Sequence, residues 1–419
     1  MRKLVLILVL AALGGCASFE RELARDIVKS GEVKLDRCEV SGFRYPGIGN
    51  GLQTPKVLKV LMIHGVGIHH PGYSRRIQEN LAAKTGLDVL SRLPKNIKLR
   101  DPENPQTPIG NLRISFWQNR SGTENMLFYE LTWSEITTPE KQIIAFDTTE
   151  QYSKFRVPFN NMMKEFLDST LPDPLLYLVG RDNLIRNSGR QALCWMLKTD
   201  WNSIPDNRAE VCTLGIGEEV RALGGQKLAF ITHSLGSEIL MDVMIDTANR
   251  IAPAIDTPEH YGAETVRRLQ NKEITMFMLA NQLPILQIGR PLPPVHNQTG
   301  NYCRPSGKNY RRRIFKAANI VAFSDPNDIL SYAVPQDFAD KYIDSRICPQ
   351  VTNVSVNVAP EISAFGVGIV NPVTAHTSYD NSPKVIGLIT RGTDDFNQDK
   401  ELSGLCRFIE LRHDNQMRL

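Results

Sequence analysis

The sequence lacks a strong net charge of either sign. Its 419 residues carry 49 Lys and Arg against 45 Asp and Glu, a net charge of +4. Removing the first 15 residues as a leader takes away Arg2 and Lys3, which leaves about +2. Because nucleic-acid-binding domains concentrate basic residues, this balance argues against nucleic acid as the main partner.

Motifs for metals and cofactors are also lacking. No Cys-x-x-Cys pair occurs, which argues against a zinc ribbon or a thioredoxin-like site. His64, His69 and His70 have no carboxylate or cysteine at a matching spacing. The run beginning at Gly65 resembles a dinucleotide-binding loop, but His70 occupies the position of its third glycine. We therefore expect neither a metal nor an organic cofactor.

The longest uninterrupted apolar run lies at the N-terminus, and it is too short to span a bilayer. Met1-Arg2-Lys3 precedes the apolar residues 4–12, which is typical of a secretory signal peptide. The following Leu13-Gly14-Gly15-Cys16 resembles a bacterial lipobox. That resemblance implies cleavage before Cys16, acylation of Cys16 and a lipid anchor in a membrane. By resemblance to such lipoproteins, the absence of Asp at Ala17-Ser18 implies sorting to the outer membrane, facing the periplasm.

Six cysteines remain after the lipidated one. An exported protein with an even number can form disulfides, but six cysteines allow 15 pairings and the sequence does not choose among them. A buried free thiol is the alternative for Cys194, which lies in an apolar stretch. The six are Cys38, Cys194, Cys212, Cys303, Cys348 and Cys406.

A serine between a strand and a helix is the strongest local signal. Residues 227–231 have the pattern of a buried strand, and 238–244 have that of a buried helix. Ser234 lies between them, with small residues two positions before and after it, Thr232 and Gly236. A turn that forces the serine into a strained conformation requires such small neighbours.

On these residues the chain resembles the α/β-hydrolases of the lipase and esterase kind, although Thr232 stands where glycine is usual. The resemblance implies a mostly parallel central sheet flanked by helices, with Ser234 as nucleophile. A second shared feature is the apolar strand 56–63, which ends in His64-Gly65. By that resemblance, the backbone N–H groups of Val66 and Leu235 would form the oxyanion hole.

The same resemblance indicates a general base and an acid. His376 follows the last strand-like run and precedes a helical segment, so we predict it as a loop histidine acting as base. Two acids follow the apolar run 317–323, namely Asp325 and Asp328. Asp325 precedes a proline and is typical of a side chain that closes a turn. We therefore predict Asp328 as the acid, with Asp325 as the alternative.

The chain divides into four regions by these patterns: a signal peptide over 1–15, lipidated Cys16 and a tether over 16–55, an α/β-hydrolase domain over 56–392, and an extension over 393–419. The stretch 91–225 within the domain matches the fold least. It is predicted as an insertion that forms either a cap over the active site or a flank of the sheet. The apolar side of its predicted helix from Pro158 could line an acyl pocket or pack in the core.

The expected activity is hydrolysis of a carboxylester, from lipid or acylated envelope material, through a Ser–His–Asp triad. An amidase or thioesterase with the same triad is one alternative. The other is an envelope lipoprotein that uses the fold as a binding scaffold without catalysis.

Overall fold

The computed structural model describes residues 37–52, 56–90, 93–179, 182–364 and 367–410. Within these ranges the strands are β1 (Cys38–Gly42), β2 (Leu58–Ile63), β3 (Asp88–Val89), β4 (Lys95–Arg100), β5 (Pro108–Gln118), β6 (Asn125–Thr132), β7 (Arg208–Glu210), β8 (Lys227–His233), β9 (Glu273–Leu279), β10 (Ala317–Ser324), β11 (Pro349–Val356), β12 (Glu361–Ala364), β13 (Val367–Val370) and β14 (Arg407–Glu410).

The α-helices of the same ranges are α1 (Ile48–Leu52), α2 (Arg75–Thr85), α3 (Thr138–Lys141), α4 (Glu150–Ser153), α5 (Pro158–Thr170), α6 (Pro172–Val179), α7 (Asp182–Lys198), α8 (Ile216–Gly225), α9 (Gly236–Asp256), α10 (Pro258–Tyr261), α11 (Ala263–Gln270), α12 (Leu283–Leu286), α13 (Thr299–Cys303), α14 (Gln336–Tyr342), α15 (Pro372–Thr377), α16 (Pro383–Arg391) and α17 (Lys400–Leu405). Among these helices, none combines the length and the apolar character needed to span a membrane.

One large sheet organises the molecule, in the order β14-β1-β11-β10-β9-β8-β2-β6-β5-β4-β7. The six strands from β11 to β6 are parallel, whereas β1 and β5 join them antiparallel. The expectation of a mostly parallel sheet flanked by helices is confirmed at this level. The strand order reverses between β2 and β8, and open α/β sheets bind ligands beyond the carboxyl ends of strands at such a reversal.

Both faces of the central strands are buried. In β2, Leu61 and Ile63 belong to one apolar cluster, and Val60 and Met62 belong to the other. Helices α7, α8 and α9 cover the first face, and α2 and α16 cover the second. Strands buried on both faces read as continuous apolar runs, which is why β2 and β8 are recognisable in the sequence.

The predicted tether and C-terminal extension are too long, because each contributes a strand to the sheet. Within 16–55, β1 pairs with β11, and within 393–419, β14 pairs with β1. The disulfide Cys38–Cys406 joins the first residue of β1 to the residue directly before β14. The pairing partners are hundreds of residues apart and β1 is short and partly polar, so its pattern does not stand out locally.

The insertion predicted over 91–225 is mostly flank. Strands β4 to β7 extend the sheet, and α7 and α8 pack on one of its faces. Residues 134–179, here named the outer segment, form only short helices and α5. The helix predicted to begin at Pro158 is confirmed as α5, but none of its 13 residues is buried.

The six cysteines that follow Cys16 form three disulfides, so Cys194 is not a free thiol. The sequence alone does not show which of these cysteines pair with one another. The pairs are Cys38–Cys406, Cys194–Cys212 and Cys303–Cys348.

Candidate active site

Ser234 lies in a strained turn between β8 and α9. Its φ is +54°, in the left-handed region that costs a non-glycine residue on the order of 1–3 kcal/mol. A Cβ at Gly236 would lie 2.4 Å from the carbonyl oxygen of Ile63, so β2 passes too close for any side chain there. The Thr232 hydroxyl shares a hydrogen bond with Ser237 Oγ at 3.0 Å. Threonine is therefore accommodated two positions before Ser234.

The turn after β2 packs directly against this serine. A Cβ on Gly65 would lie 2.4 Å from Ser234 Cβ and 3.0 Å from Ser234 Oγ, so only glycine fits. Within the described chain, the backbone N–H groups of Val66 and Leu235 donate no hydrogen bond. These are the two groups predicted as the oxyanion hole, and both remain able to donate to a ligand oxygen.

His64 is buried and neutral, and it fixes the shape of this turn. The backbone N–H of Trp133 donates to His64 Nε2 at 3.1 Å, so that nitrogen carries no proton. His64 Nδ1 donates to the carbonyl of Gly65 at 2.7 Å. Burial lowers the pKa of His64 well below its usual value. Because the protein itself uses both ring nitrogens, none is left for a metal ion.

His376 and Asp328 are in direct contact. His376 Nδ1 lies 2.9 Å and 3.0 Å from the two carboxylate oxygens of Asp328, and both side chains are buried. Burial would raise the pKa of Asp328, but its interactions with His376 and the Leu330 N–H outweigh burial and hold the pKa below its usual value. His376 lies in the short helix α15 and not in a loop, because Asn371 caps a helical turn that begins at Pro372.

Asp325 serves the backbone of the neighbouring loops. Its Oδ2 accepts from the N–H of Val358 at 2.7 Å, and its Oδ1 accepts from the N–H of Asn327 at 2.8 Å. Its own N–H donates to Tyr379 Oη at 2.7 Å. Asp325 therefore closes a turn, whereas Asp328 is the acid that contacts His376.

His233, which no motif of the sequence marks as functional, joins Ser234 to His376. His233 Nε2 donates to the carbonyl oxygen of His376 at 2.8 Å, and the two rings lie 5.1 Å apart. Burial, followed by the charge of His376, lowers the pKa of His233 to about 3, so it stays neutral. Ser234 Oγ and His376 Nε2 are both buried, and neither has a hydrogen-bond partner within the described chain.

Asp173 of the outer segment is a second feature that the sequence did not reveal. It is fully buried and accepts from the N–H of Gly67 at 2.6 Å. The Thr137 hydroxyl and Lys141 Nζ donate to the same carboxylate, each at 2.7 Å. Since Gly67 directly follows Val66, the outer segment holds the turn that carries one predicted oxyanion donor.

The chain matches no protein-family model, no curated protein and no solved structure. Its chemistry is therefore indicated by the geometry of the site. The Asp328 carboxylate can only accept a hydrogen bond, so the His376 Nδ1 that contacts it carries the ring proton. His376 Nε2 is then left as an acceptor. An imidazole of this kind, joined to a strained serine through the adjacent His233, is suited to remove a hydroxyl proton.

Proposed function

We propose that this protein is a membrane-anchored serine hydrolase of the α/β-hydrolase type that cleaves carboxylesters through an acyl-enzyme. Ser234 is the nucleophile, His376 the general base and Asp328 the residue that orients the imidazole. One observation carries the proposal. The Nδ1 atom of His376 is bound to Asp328, while His376 Nε2 and Ser234 Oγ are buried without partners.

The reaction follows from these protonation states. His376 Nε2 accepts the hydroxyl proton as Ser234 Oγ bonds to the ester carbonyl carbon, and the carbonyl oxygen becomes an oxyanion. The N–H groups of Val66 and Leu235 stabilise that charge, each by about 3 kcal/mol. The protonated imidazole then gives its proton to the departing alcohol. Water repeats the sequence on the acyl-enzyme and releases the carboxylic acid.

The substrate class is inferred from the proposed location of the protein in the cell envelope. An acylated Cys16 would keep the enzyme on the outer membrane facing the periplasm, so lipid esters or acylated envelope material are the substrates within reach. The proposal requires no metal and no organic cofactor. A thioester or amide would be attacked by the same groups, so substrate panels distinguish these activities.

Labelling with a fluorophosphonate probe tests the nucleophile. The wild-type chain should be labelled covalently, and Ser234→Ala should lose both labelling and hydrolysis of short-chain esters while melting at a similar temperature. Ser237→Ala is the matched control, since Ser237 is also a buried serine and lies at the start of α9, three residues after Ser234. It should keep its labelling. A folded wild-type chain that reacts with neither probe nor ester would instead favour the binding scaffold.

A further inference from the structure

The outer segment exposes its apolar side chains to an unusual degree. Eleven of the twenty exposed large apolar residues of the described chain lie between positions 143 and 179. Phe155 is 89 % exposed and Ile143 is 72 % exposed. Such a concentration exceeds the scattered apolar residues normal on a monomer's surface. The eleven are Ile143, Phe146, Tyr152, Phe155, Val157, Phe159, Leu167, Leu171, Leu175, Leu178 and Val179.

Four charged side chains of the same segment pair with one another, whereas Glu150, Lys154 and Glu165 are exposed. Asp147 contacts Arg156 at 2.6 Å and Lys164 at 3.0 Å, and Lys164 contacts Asp168 at 2.6 Å. The side chains of Asp147, Arg156 and Asp168 are only 16 %, 19 % and 13 % exposed. A segment that covers these paired charges and exposes Phe146, Phe155 and Phe159 is arranged for apolar surroundings.

This apolar surface adjoins the candidate active site. Asp173 holds Gly67, and a Cβ on Gly67 would lie 3.9 Å from Thr170 Cγ2 at the end of α5. Further exposed apolar residues follow the carboxyl ends of β2, β9 and β10, at the same edge of the sheet as Ser234. They are Ile68, Ile285, Ile288, Leu292 and Ile329.

The chain enters the described fold at this same edge. In β1, Cys38 pairs with Val356, the last residue of β11. Since β11 is parallel with β8, its end lies at the edge where β8 ends in the serine turn. Residues 17–36 separate this point from Cys16, and twenty residues reach at most about 70 Å. The predicted lipid anchor is thus joined to the side of the molecule that carries the apolar surface.

We propose that residues 143–179 form a docking surface for a lipid bilayer, which seats the edge of the sheet carrying Ser234 on the membrane that holds Cys16. The inference rests on the membrane anchoring of the proposed function, but not on the catalytic roles of Ser234 or His376. Because residues 143–179 carry five acidic and three basic side chains, docking depends on apolar contact and not on anionic lipids.

Tryptophan fluorescence tests which side of the protein meets the bilayer. The full chain acylated at Cys16 is placed in phosphatidylcholine vesicles with and without brominated acyl chains. We expect the emission added by Phe155→Trp to be quenched at least about twofold, as for a side chain within the acyl boundary. Leu93→Trp is the matched control: Leu93 is 82 % exposed and precedes β4, towards the opposite edge of the sheet. Its added emission should not be quenched.

Vesicle binding without the anchor tests the surface itself. The full chain carrying Cys16→Ser should bind phosphatidylcholine vesicles with little dependence on salt. Phe155→Ser combined with Phe159→Ser should weaken that binding about tenfold or more. The control pair Leu90→Ser and Leu93→Ser removes similarly exposed residues elsewhere and should leave binding unchanged.

Three results would overturn the inference: no quenching at position 155, equal quenching at 93, or no loss of vesicle binding in the phenylalanine variant. A dimer that forms with rising concentration and is lost in the same variant would assign the surface to a second copy of the chain instead. Fluorophosphonate labelling of each sample reports separately on Ser234, so docking and catalysis succeed or fail independently.

Discussion

Replacing Asp328 with asparagine should remove nearly all activity while keeping the fold, because of how its two carboxylate oxygens are used. Oδ1 accepts from the N–H of Leu330 at 3.0 Å, and Oδ2 accepts from the hydroxyl of Tyr379 at 3.2 Å. His376 Nδ1 lies within 3.0 Å of both oxygens. An asparagine has only one oxygen to offer these three donors.

The Leu330 N–H can only donate, so the asparagine oxygen will stay on that side. The new amide nitrogen then takes the place of Oδ2, beside His376 Nδ1 and the Tyr379 hydroxyl. The Tyr379 hydroxyl can rotate and accept a hydrogen bond from this amide nitrogen, and His376 Nδ1 must also accept one from it. The ring proton moves to Nε2, which can no longer take a proton from Ser234. We expect kcat to fall on the order of 10⁴-fold, or about 5 kcal/mol of barrier.

Asp325→Asn provides the matched comparison. That substitution weakens the bonds to Val358 and Asn327, which hold loops, and contacts no reacting atom. It should lower the free energy of unfolding by about 1–3 kcal/mol and leave kcat per labelled active site nearly unchanged. The assay combines ester hydrolysis, active-site counting with the fluorophosphonate and thermal melting. A larger fall in kcat at 325 than at 328 would refute the reasoning.

The pH dependence of stability tests the ionised state of Asp328. The folded pKa of Asp328 is depressed, so its stabilising contribution is complete above the usual carboxyl pKa and is lost as pH falls through the folded value. The unfolding free energy of Asp328→Asn should therefore decline less steeply on acidification than that of the wild type.

Two further substitutions test the turn that faces the serine. Gly65→Ala should abolish labelling of Ser234, because the new methyl group would overlap the Ser234 Cβ; normal labelling at an unchanged melting temperature would contradict the packing. Asp173→Asn should lower kcat more than it changes KM, since it loosens Gly67. In that variant the buried Lys141 ammonium loses its charged partner. Adding Lys141→Met removes this charge and should restore much of the stability, but not kcat. If both stability and kcat recover, Asp173 only stabilises the fold.

The parts of the fold that the sequence predicts are those decided by nearby residues. Strands β2, β8, β9 and β10 are apolar runs buried on both faces, and the turn at Ser234 depends on small neighbours two positions away. The choice between Asp325 and Asp328 also began from a local cue, the proline after Asp325. The contacts of both acids agree with that choice, whereas their roles in catalysis remain predictions.

What the sequence could not predict depends on partners distant in the chain. β1 is recognisable only beside β11 and β14, and the disulfides required the fold to choose one pairing of fifteen. His233 and Asp173 carry no motif, because each acts through a backbone group that the fold brings to it. His376 was expected in a loop since helix α15 is one short turn, defined by its cap and not by any apolar period.

The outer segment shows how far periodicity alone can mislead. The apolar side of α5, with Phe159 and Leu167, has the same spacing whether it faces a core, an acyl pocket or a membrane. The sequence therefore predicts the helix but not what covers it. The charged residues distinguish these cases. A helix that packs against a core exposes its charged side chains to water. Here Asp147 and Asp168 bind Lys164 and are less exposed than Phe159. An apolar side that faces outward while Asp168 of the same helix stays covered by its ion pair favours a lipid surface over an interior.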